Sequence, residues 1–258
     1  MSGYPEMSGS DSPDIKCFQE LPDDTFEAIG LETKTIRRIT RQQQNLPIDV
    51  IKYLLFTNVP PTVAEEISSS STRHMFNYDT QSMILKLVTG AHQTASRALL
   101  CEVQYILLGM DLHRSILPLG STRVRGRDAK WPTVAVEIGV SDSYGKLKAD
   151  AEWWLSNSRG EVKLVIIVSI NRKTPGIKFE TVVLDVGSLR HSRYVTTIRQ
   201  TIMVSRRGEQ ITVSPEVPLT IEFEELFCRQ PVSPEHKIDI SPDQLRYISS
   251  DVWEQQGL

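Results

Sequence analysis

One acidic residue lies inside an apolar stretch that predicts a β-strand. Residues 133–140 read TVAVEIGV, and the even-numbered positions are apolar from Val134 onward. Because successive side chains of a strand point to opposite faces, Ala135, Glu137 and Gly139 share the other face. The small neighbours leave room for a hard cation such as Mg2+, its waters and a phosphate. The pattern therefore indicates either a Mg2+ site at Glu137 or, as the alternative, a solvated strand face.

The strongest concentration of positive charge lies just before this strand. Arg123, Arg125 and Arg127 alternate through residues 121–127, a predicted strand, and Lys130 follows in the predicted turn. Alternation places the three guanidinium groups on one face. Such a row suits the phosphates of a nucleic-acid backbone, since guanidinium groups bind phosphate oxygens well. The alternative is an edge strand whose cations prevent edge-to-edge aggregation.

The periodicity of the flanking segments predicts the elements that position these residues. Asp79 is a favourable N-cap for a long helix that extends to Met110. A second helix has Trp154 on its buried stripe. In full, the predicted helices cover 47–59, 79–110, 143–156 and 242–255, and the predicted strands cover 121–127, 133–140, 162–170, 177–184, 196–205, 211–214 and 219–223.

The order helix, hairpin, helix, apolar strand is similar to the αβββαβ core of the PD-(D/E)XK restriction-endonuclease-like superfamily. Three segments more closely resemble a group of mostly uncharacterised fungal proteins assigned to that superfamily: LGST at 119–122, WPTVAVEIGVSDS at 131–143 and LKADAEWWL at 147–155. The stretches 219–227 and 238–253 look like the end of the same group. The resemblance implies an α/β (α+β) fold with a mixed central sheet flanked by helices, followed by additional C-terminal strands and a helix.

The resemblance also implies a set of metal ligands. Glu137 matches the metal-binding Glu of the E-x-K motif, and Asp128 is the nearest counterpart of the preceding Asp. In many relatives a glutamate of the first helix completes the metal shell, and Glu102 lies on the predicted first helix. Read from spacing alone, Glu102 instead lies on the solvent edge of its helix. A tight turn about Lys130 would pair Glu137 with Val124 and leave Asp128 roughly 13 Å away along the strand, unless a looser loop intervenes.

Gly139 stands where the motif has its lysine. In some relatives the following helix supplies that lysine, and Lys146 or Lys148 would then stabilise charge on the attacked phosphate. Their spacing has a second interpretation, because Lys146 with Asp150 and Lys148 with Glu152 are placed as surface ion pairs one helical turn apart.

The composition limits the classes of protein that need to be considered. The chain has 258 residues, 40% of them hydrophobic, and a formal net charge of −3, so any nucleic-acid contact must be local. Its three cysteines are far apart and outside any CxxC pair, which favours a reducing compartment over a disulfide scaffold or a zinc site. No uncharged apolar run reaches the ~18 residues of a membrane span, and no signal pattern opens the chain. We expect an intracellular protein, cytoplasmic or nuclear, that has no membrane partner.

The domain organisation follows from the same patterns. Residues 1–24 are rich in Gly, Ser, Pro and Asp and predict a disordered tail. Residues 25–258 predict one domain, with a nuclease-like core at about 79–184 and an extension over 185–258.

Two functions are consistent with this sequence. The first is a divergent nuclease that uses Mg2+ held by Glu137 with Asp128 or Glu102, and Lys146 or Lys148, to hydrolyse nucleic-acid phosphodiesters. The second is a nuclease-like domain without catalysis that binds nucleic acid or a protein partner, since a fold does not by itself imply an activity.

Overall fold

The computed structural model describes residues 18, 21–23, 25–44, 52–68, 74–87, 90–118, 121–127, 131–140, 144–185 and 195–258. These residues form two compact units, an amino-terminal unit that ends with Leu87 and a carboxy-terminal unit that begins with Gly90. The sequence instead predicts one domain over 25–258. The predicted tail, 1–24, lies almost entirely outside the described residues.

The amino-terminal unit has its own sheet and its own core. The strands lie in the order β1-β2-β4-β3, with β1 and β2 parallel and the other pairs antiparallel. Its core is made of fully buried residues such as Leu54, Phe56 and Met83. The elements are β1 (Phe26–Ile29), α1 (Thr33–Gln44), β2 (Lys52–Thr57), α2 (Pro61–Ser68), β3 (His74–Asn77) and β4 (Ser82–Leu87).

Two helix predictions are wrong in this unit. Residues 52–57 of the predicted helix 47–59 form strand β2, because the buried residues of this aromatic-rich run pair with both neighbouring strands. The predicted N-cap Asp79 lies in the turn before β4, where its backbone N–H donates to Asn77 Oδ1 at 2.9 Å. Residues 82–87 then pair as a strand, and the helix begins only at Gly90.

The carboxy-terminal unit is built on a seven-stranded mixed sheet. The strand order is β11-β10-β9-β8-β7-β6-β5, in which β7 and β8 are parallel and every other pair is antiparallel. A short second sheet pairs β12 with β13. The elements are α3 (Gly90–Gly109), a 3₁₀ turn (His113–Ser115), β5 (Ile116–Pro118), β6 (Ser121–Val124), β7 (Val134–Val140), α4 (Tyr144–Asn157), β8 (Leu164–Ile170), β9 (Gly176–Asp185), β10 (Val195–Arg207), β11 (Gln210–Ser214), β12 (Leu219–Ile221), α5 (Phe223–Phe227), β13 (Ile238–Ile240) and α6 (Pro242–Gln256).

The strong sequence patterns of this unit are confirmed. The strands predicted over 133–140, 162–170 and 177–184 and the helix predicted over 143–156 match β7, β8, β9 and α4 within a few residues. Every residue of β7 is buried, which explains the apolar composition of this central strand. The chain therefore runs as α3, three antiparallel strands, α4 and a strand parallel to β7.

Helices cover both faces of the large sheet. On one face α4 packs on Ala135, Val165 and Ile167 through residues that include Leu147 and Ala151. On the other face the Arg206 guanidinium lies 5.4 Å from the ring centroid of Trp253 in α6. Helix α3 packs beside α6, and Glu102 Oε2 accepts a hydrogen bond from Gln244 Nε2 at 2.6 Å. Helices α3 and α6 thus share the face opposite α4.

The β6–β7 hairpin differs from the predicted one. Thr122 pairs with Val134, whereas a tight turn about Lys130 would pair Val134 with Arg127. Strand β6 ends at Val124, and Gly126 has φ +84°, a left-handed conformation that turns the chain away from the sheet. The arginines of 121–127 therefore do not share one strand face.

No helix within the described ranges combines the length and the apolar character needed to cross a membrane.

Gly30 provides a test of packing in the amino-terminal core. A Cβ at Gly30 would lie 2.8 Å from Val59 Cγ2 and 3.0 Å from Phe56 Cβ, both in the core. We expect Gly30→Ala to lower the free energy of unfolding by about 1–3 kcal/mol, measured by urea titration followed by circular dichroism. Gly109→Ala is the control, because a Cβ there meets nothing within 4 Å. Equal unfolding midpoints for the two variants would contradict this packing.

Candidate functional site

Glu137 is buried where α4 crosses β7. Its side chain shares a face with Ala135, whose methyl group belongs to the cluster beneath α4. Only 4% of Glu137 is exposed, and its Oε1 accepts a hydrogen bond from Trp154 Nε1 of α4 at 2.8 Å. The alternative of a solvated strand face is therefore wrong: the carboxylate is desolvated and held by an indole.

Helix α4 carries a buried ion pair on the same side. Lys146 Nζ donates to Asp150 Oδ1, and the two residues are 2% and 3% exposed. The predicted pairing one turn apart thus occurs, but in the interior and not at the surface. Lys146, Asp150 and Trp154 follow at four-residue steps and form one row along the helix. Trp154, the last residue of this row, donates to Glu137.

The other candidate lysine and the first-helix glutamate are placed elsewhere. Lys148 is exposed, with Nζ 4.9 Å from the ring centroid of Tyr144. Glu102 is half-buried and lies on α3, on the sheet face opposite α4 and Glu137. Asp128 lies outside the described residues, within the segment that joins β6 to β7. The observed register, with Thr122 opposite Val134, differs from the tight turn on which the predicted 13 Å separation rested.

A second buried carboxylate, Glu180, was missed from the sequence. The pairing register places Glu137, Ile167, Glu180 and Thr201 in one row across four strands, with their side chains on one face. The two glutamates are thus about 10 Å apart, two strand spacings, with Ile167 between them. The available signal was an acidic residue between Phe179 and Thr181 inside the strand predicted over 177–184.

Glu180 has a polar network of its own. Tyr144 Oη donates to its Oε1 at 3.1 Å and Thr201 Oγ1 does so at 3.3 Å, while Lys178 Nζ lies 3.1 Å from Oε2. The same Nζ lies 3.4 Å from the centroid of the Tyr144 ring. These contacts hold the first residue of α4 against β9 and β10.

Three tryptophans pack together at the other end of α4. Trp131 lies 5.6 Å from Trp153 and 5.7 Å from Trp154 between ring centroids, and the adjacent pair is 5.3 Å apart. All three are half-buried. The prediction that Trp154 is a core residue is confirmed in part, because its ring packs on the core while its N–H serves Glu137.

The predicted basic row is dispersed. Arg123 is half-buried in β6. Arg127 forms an ion pair with Glu161 at 2.6 Å, and that hydrogen bond raises the pKa of Arg127. Lys130 lies outside the described residues. Arg125 is exposed and lines a groove.

This groove has a volume of about 410 Å³ and combines cations with an apolar lining. Its walls include Arg114, Arg125 and Arg229, and its lining includes Leu112, Ser115, Val124 and Phe227.

Arg229 is neutralised inside the groove wall. It forms a two-pronged ion pair with Glu235, at 2.5 and 2.6 Å, and its guanidinium lies 4.9 Å from the Phe223 ring centroid. Within the described part of the chain neither Arg114 nor Arg125 has a carboxylate partner.

Glu137 and Asp150 offer the hard oxygen donors that Mg2+ prefers. The described residues contain no group of three His, Cys, Asp or Glu side chains able to hold a metal. Mg2+ is commonly bound by one or two carboxylates together with water and substrate phosphate, so a full protein cage is not required. The oxygen donors of each carboxylate thus fit the chemistry of Mg2+.

Comparison of the chain with protein-family models, with curated proteins and with solved structures finds no match.

Breaking the buried ion pair tests its energetic role. Lys146→Met removes the cation paired with Asp150 and should lower the free energy of unfolding by about 3–5 kcal/mol. Replacing both partners, Lys146→Met with Asp150→Leu, should restore most of that loss. Lys148→Met, on the exposed side of the helix, should change stability by less than about 0.5 kcal/mol. Equal effects of the two lysine variants in chemical denaturation would contradict the buried pair.

The Arg229–Glu235 pair predicts a dependence on pH. The hydrogen bond from Arg229, followed by one from the Val232 backbone, lowers the pKa of Glu235 from 4.5 to about 2. Because the folded pKa is the lower one, the pair stabilises the fold above pH 4.5 and loses this effect as the pH falls toward 2. In Arg229→Ala we expect the pKa of Glu235 to rise toward 4.5, followed by carboxyl NMR titration. Arg246→Ala, which breaks a different pair, should leave that titration unchanged.

Proposed function

We propose that the chain is a divergent metal-dependent nuclease that acts on nucleic-acid phosphodiesters. One observation carries this proposal: the buried carboxylate of Glu137 is bound by Trp154 of α4, and the same helix buries the Lys146–Asp150 ion pair in the two turns before that tryptophan. Burying an ionised group costs several kcal/mol of desolvation free energy, whereas hydrophobic side chains at the same positions would stabilise the helix without that cost. Buried ionisable groups that lie on neighbouring elements are common at catalytic sites.

The order of elements supports the proposal. Helix α3, the antiparallel strands β5, β6 and β7, helix α4 and the parallel strand β8 follow each other in the αβββαβ order that the resemblance implies. In that order Glu137 falls on the third strand and Lys146 on the following helix. These are the positions of the motif's glutamate and of the lysine that some relatives supply from the helix.

Each residue of the proposed site has a separate task. Glu137 and Asp150 would hold Mg2+, and Asp128 remains a further candidate. The bound metal would supply Lewis-acid activation of the phosphate and a water of lowered pKa. Lys146, the partner of Asp150, would stabilise the phosphate charge that develops in the transition state. Gly139 adds no side chain to the face shared with Glu137. We assign no role to Glu102 or Lys148.

The second candidate is a nuclease-like domain that binds nucleic acid or a protein without cleaving. One observation favours it: Glu137 and Lys146 are only 4% and 2% exposed, and each already has a partner. A substrate phosphate could reach Glu137 and Lys146 only if the residues that bury them moved aside. The exposed Arg125 belongs to the binding surface in this reading.

Variants of the two buried glutamates decide between these functions. We expect Glu137→Gln to reduce Mg2+- or Mn2+-dependent cleavage of plasmid, single-stranded DNA and RNA by about 100-fold or more while circular dichroism stays unchanged. Glu180→Gln is the matched control, since Glu180 is equally buried on the same face but belongs to a separate network. Calorimetry of Mg2+ binding on the same samples should show loss only in Glu137→Gln. Wild-type protein that neither binds metal nor cleaves would leave the binding module as the function.

A further inference from the structure

The groove beside β6 is a separate site from Glu137. Thr122 pairs with Val134, so Glu137 lies three residues along β7 in one direction and Arg125 three residues along the chain in the other. At ~3.3 Å per residue, the two are up to roughly 20 Å apart along the sheet. Glu137 is closed beneath α4, whereas Arg125 is exposed. A ligand of the groove can therefore be tested independently of the acidic row.

The free charge of the groove is positive. Arg229 is balanced by Glu235, which keeps its charge to low pH because the pKa of that carboxyl is about 2. Arg114 and Arg125 are exposed and have no carboxylate partner within the described ranges. Two guanidinium groups that line one groove present forked donors that match the oxygens of a phosphate.

The lining of the groove defines the rest of the ligand. Leu112, Val124 and Phe227 provide apolar surface next to the cations. A volume of about 410 Å³ lies within the range of small-molecule sites, 300–1,000 Å³. A ring system attached to a phosphate satisfies both parts of the surface. An acidic peptide would pair with the arginines but would place no apolar group against the apolar lining.

We infer that this groove binds the phosphate monoester of a nucleotide, with the phosphate on Arg114 and Arg125 and the sugar or base on Leu112, Val124 and Phe227. The nucleotide is either free or the 5′ end of a nucleic acid. In the second form the inference rests on the proposed function and deepens it, because it gives the nuclease a site that selects a phosphorylated end.

The test uses the full chain and three probes: thymidine 5′-monophosphate, and a ten-residue oligothymidylate with and without a 5′-phosphate. Binding is measured in the Glu137→Gln background, which prevents cleavage. We expect the phosphorylated oligonucleotide to bind at least tenfold more tightly than the unphosphorylated one, and this preference to vanish in Arg114→Ala/Arg125→Ala. The control is Arg172→Ala/Arg207→Ala, which removes two exposed arginines, one from the turn after β8 and one from the end of β10, and should keep the preference.

Comparison of the probes identifies the source of the phosphate. Equal affinity for the mononucleotide and the phosphorylated oligonucleotide supports a free nucleotide, and tighter binding of the oligonucleotide supports a nucleic-acid end. The inference is overturned if the 5′-phosphate gives no preference, if the double arginine variant retains it, or if an octaglutamate peptide competes as well as the mononucleotide.

Failure of this inference differs from failure of the proposed function. Cleavage that depends on Glu137, together with binding that shows no preference for a 5′-phosphate, would remove the groove site and leave the nuclease. If the wild-type chain cleaves nothing but prefers a 5′-phosphate through Arg114 and Arg125, the groove site stands and the nuclease function is removed.

Discussion

Trp154 and Glu137 meet where α4 lies across the sheet, and this contact between an indole and a carboxylate constrains the carboxy-terminal unit. A parallel pair such as β7 and β8 needs a crossover helix, so α4 must return over the sheet face that carries Glu137. The apolar contacts of Leu147, Ala151 and Leu155 hold the helix there. Burial of a large aliphatic side chain stabilises by about 1.5–3 kcal/mol, which offsets part of the cost of desolvating Glu137, Lys146 and Asp150. These groups can stay ionised in the interior because α4 supplies the donors, Trp154 for Glu137 and Lys146 for Asp150.

Strand register keeps the two buried glutamates in separate networks. Ile167 lies between Glu137 and Glu180 in the same row of the sheet, so the carboxylates do not share a proton or a cation at hydrogen-bonding distance. Glu180 is balanced by Lys178 and by the hydroxyls of Tyr144 and Thr201. The face beneath α4 therefore has two differently built polar sites, one at each end of the helix.

The distribution of arginines explains how a chain of net charge −3 can present a local anion site. Arg127, Arg199, Arg229 and Arg246 each form an ion pair with a glutamate, which cancels their long-range field. Among the described residues, Arg114 and Arg125 are outside these pairs and face one groove. Net charge therefore says little about binding here, because the surface field depends on which cations are paired.

The sequence by itself determined the strands and the helix whose hydrophobic periodicity fits only one type of secondary structure. Alternation in 133–140 and the continuous apolar run of 162–170 predicted β7 and β8, and the capped amphipathic stretch after Ser141 predicted α4. It also singled out Glu137 and the four-residue spacing of Lys146 and Asp150. Short apolar runs such as Tyr53–Phe56 suit helix and strand alike, and neighbouring strands decided them in the tertiary structure. Only that structure decided the β6–β7 register, the burial of the Lys146–Asp150 pair, the role of Glu180 and the groove at Arg125. Each depends on contacts between residues far apart in the chain, which local periodicity does not encode.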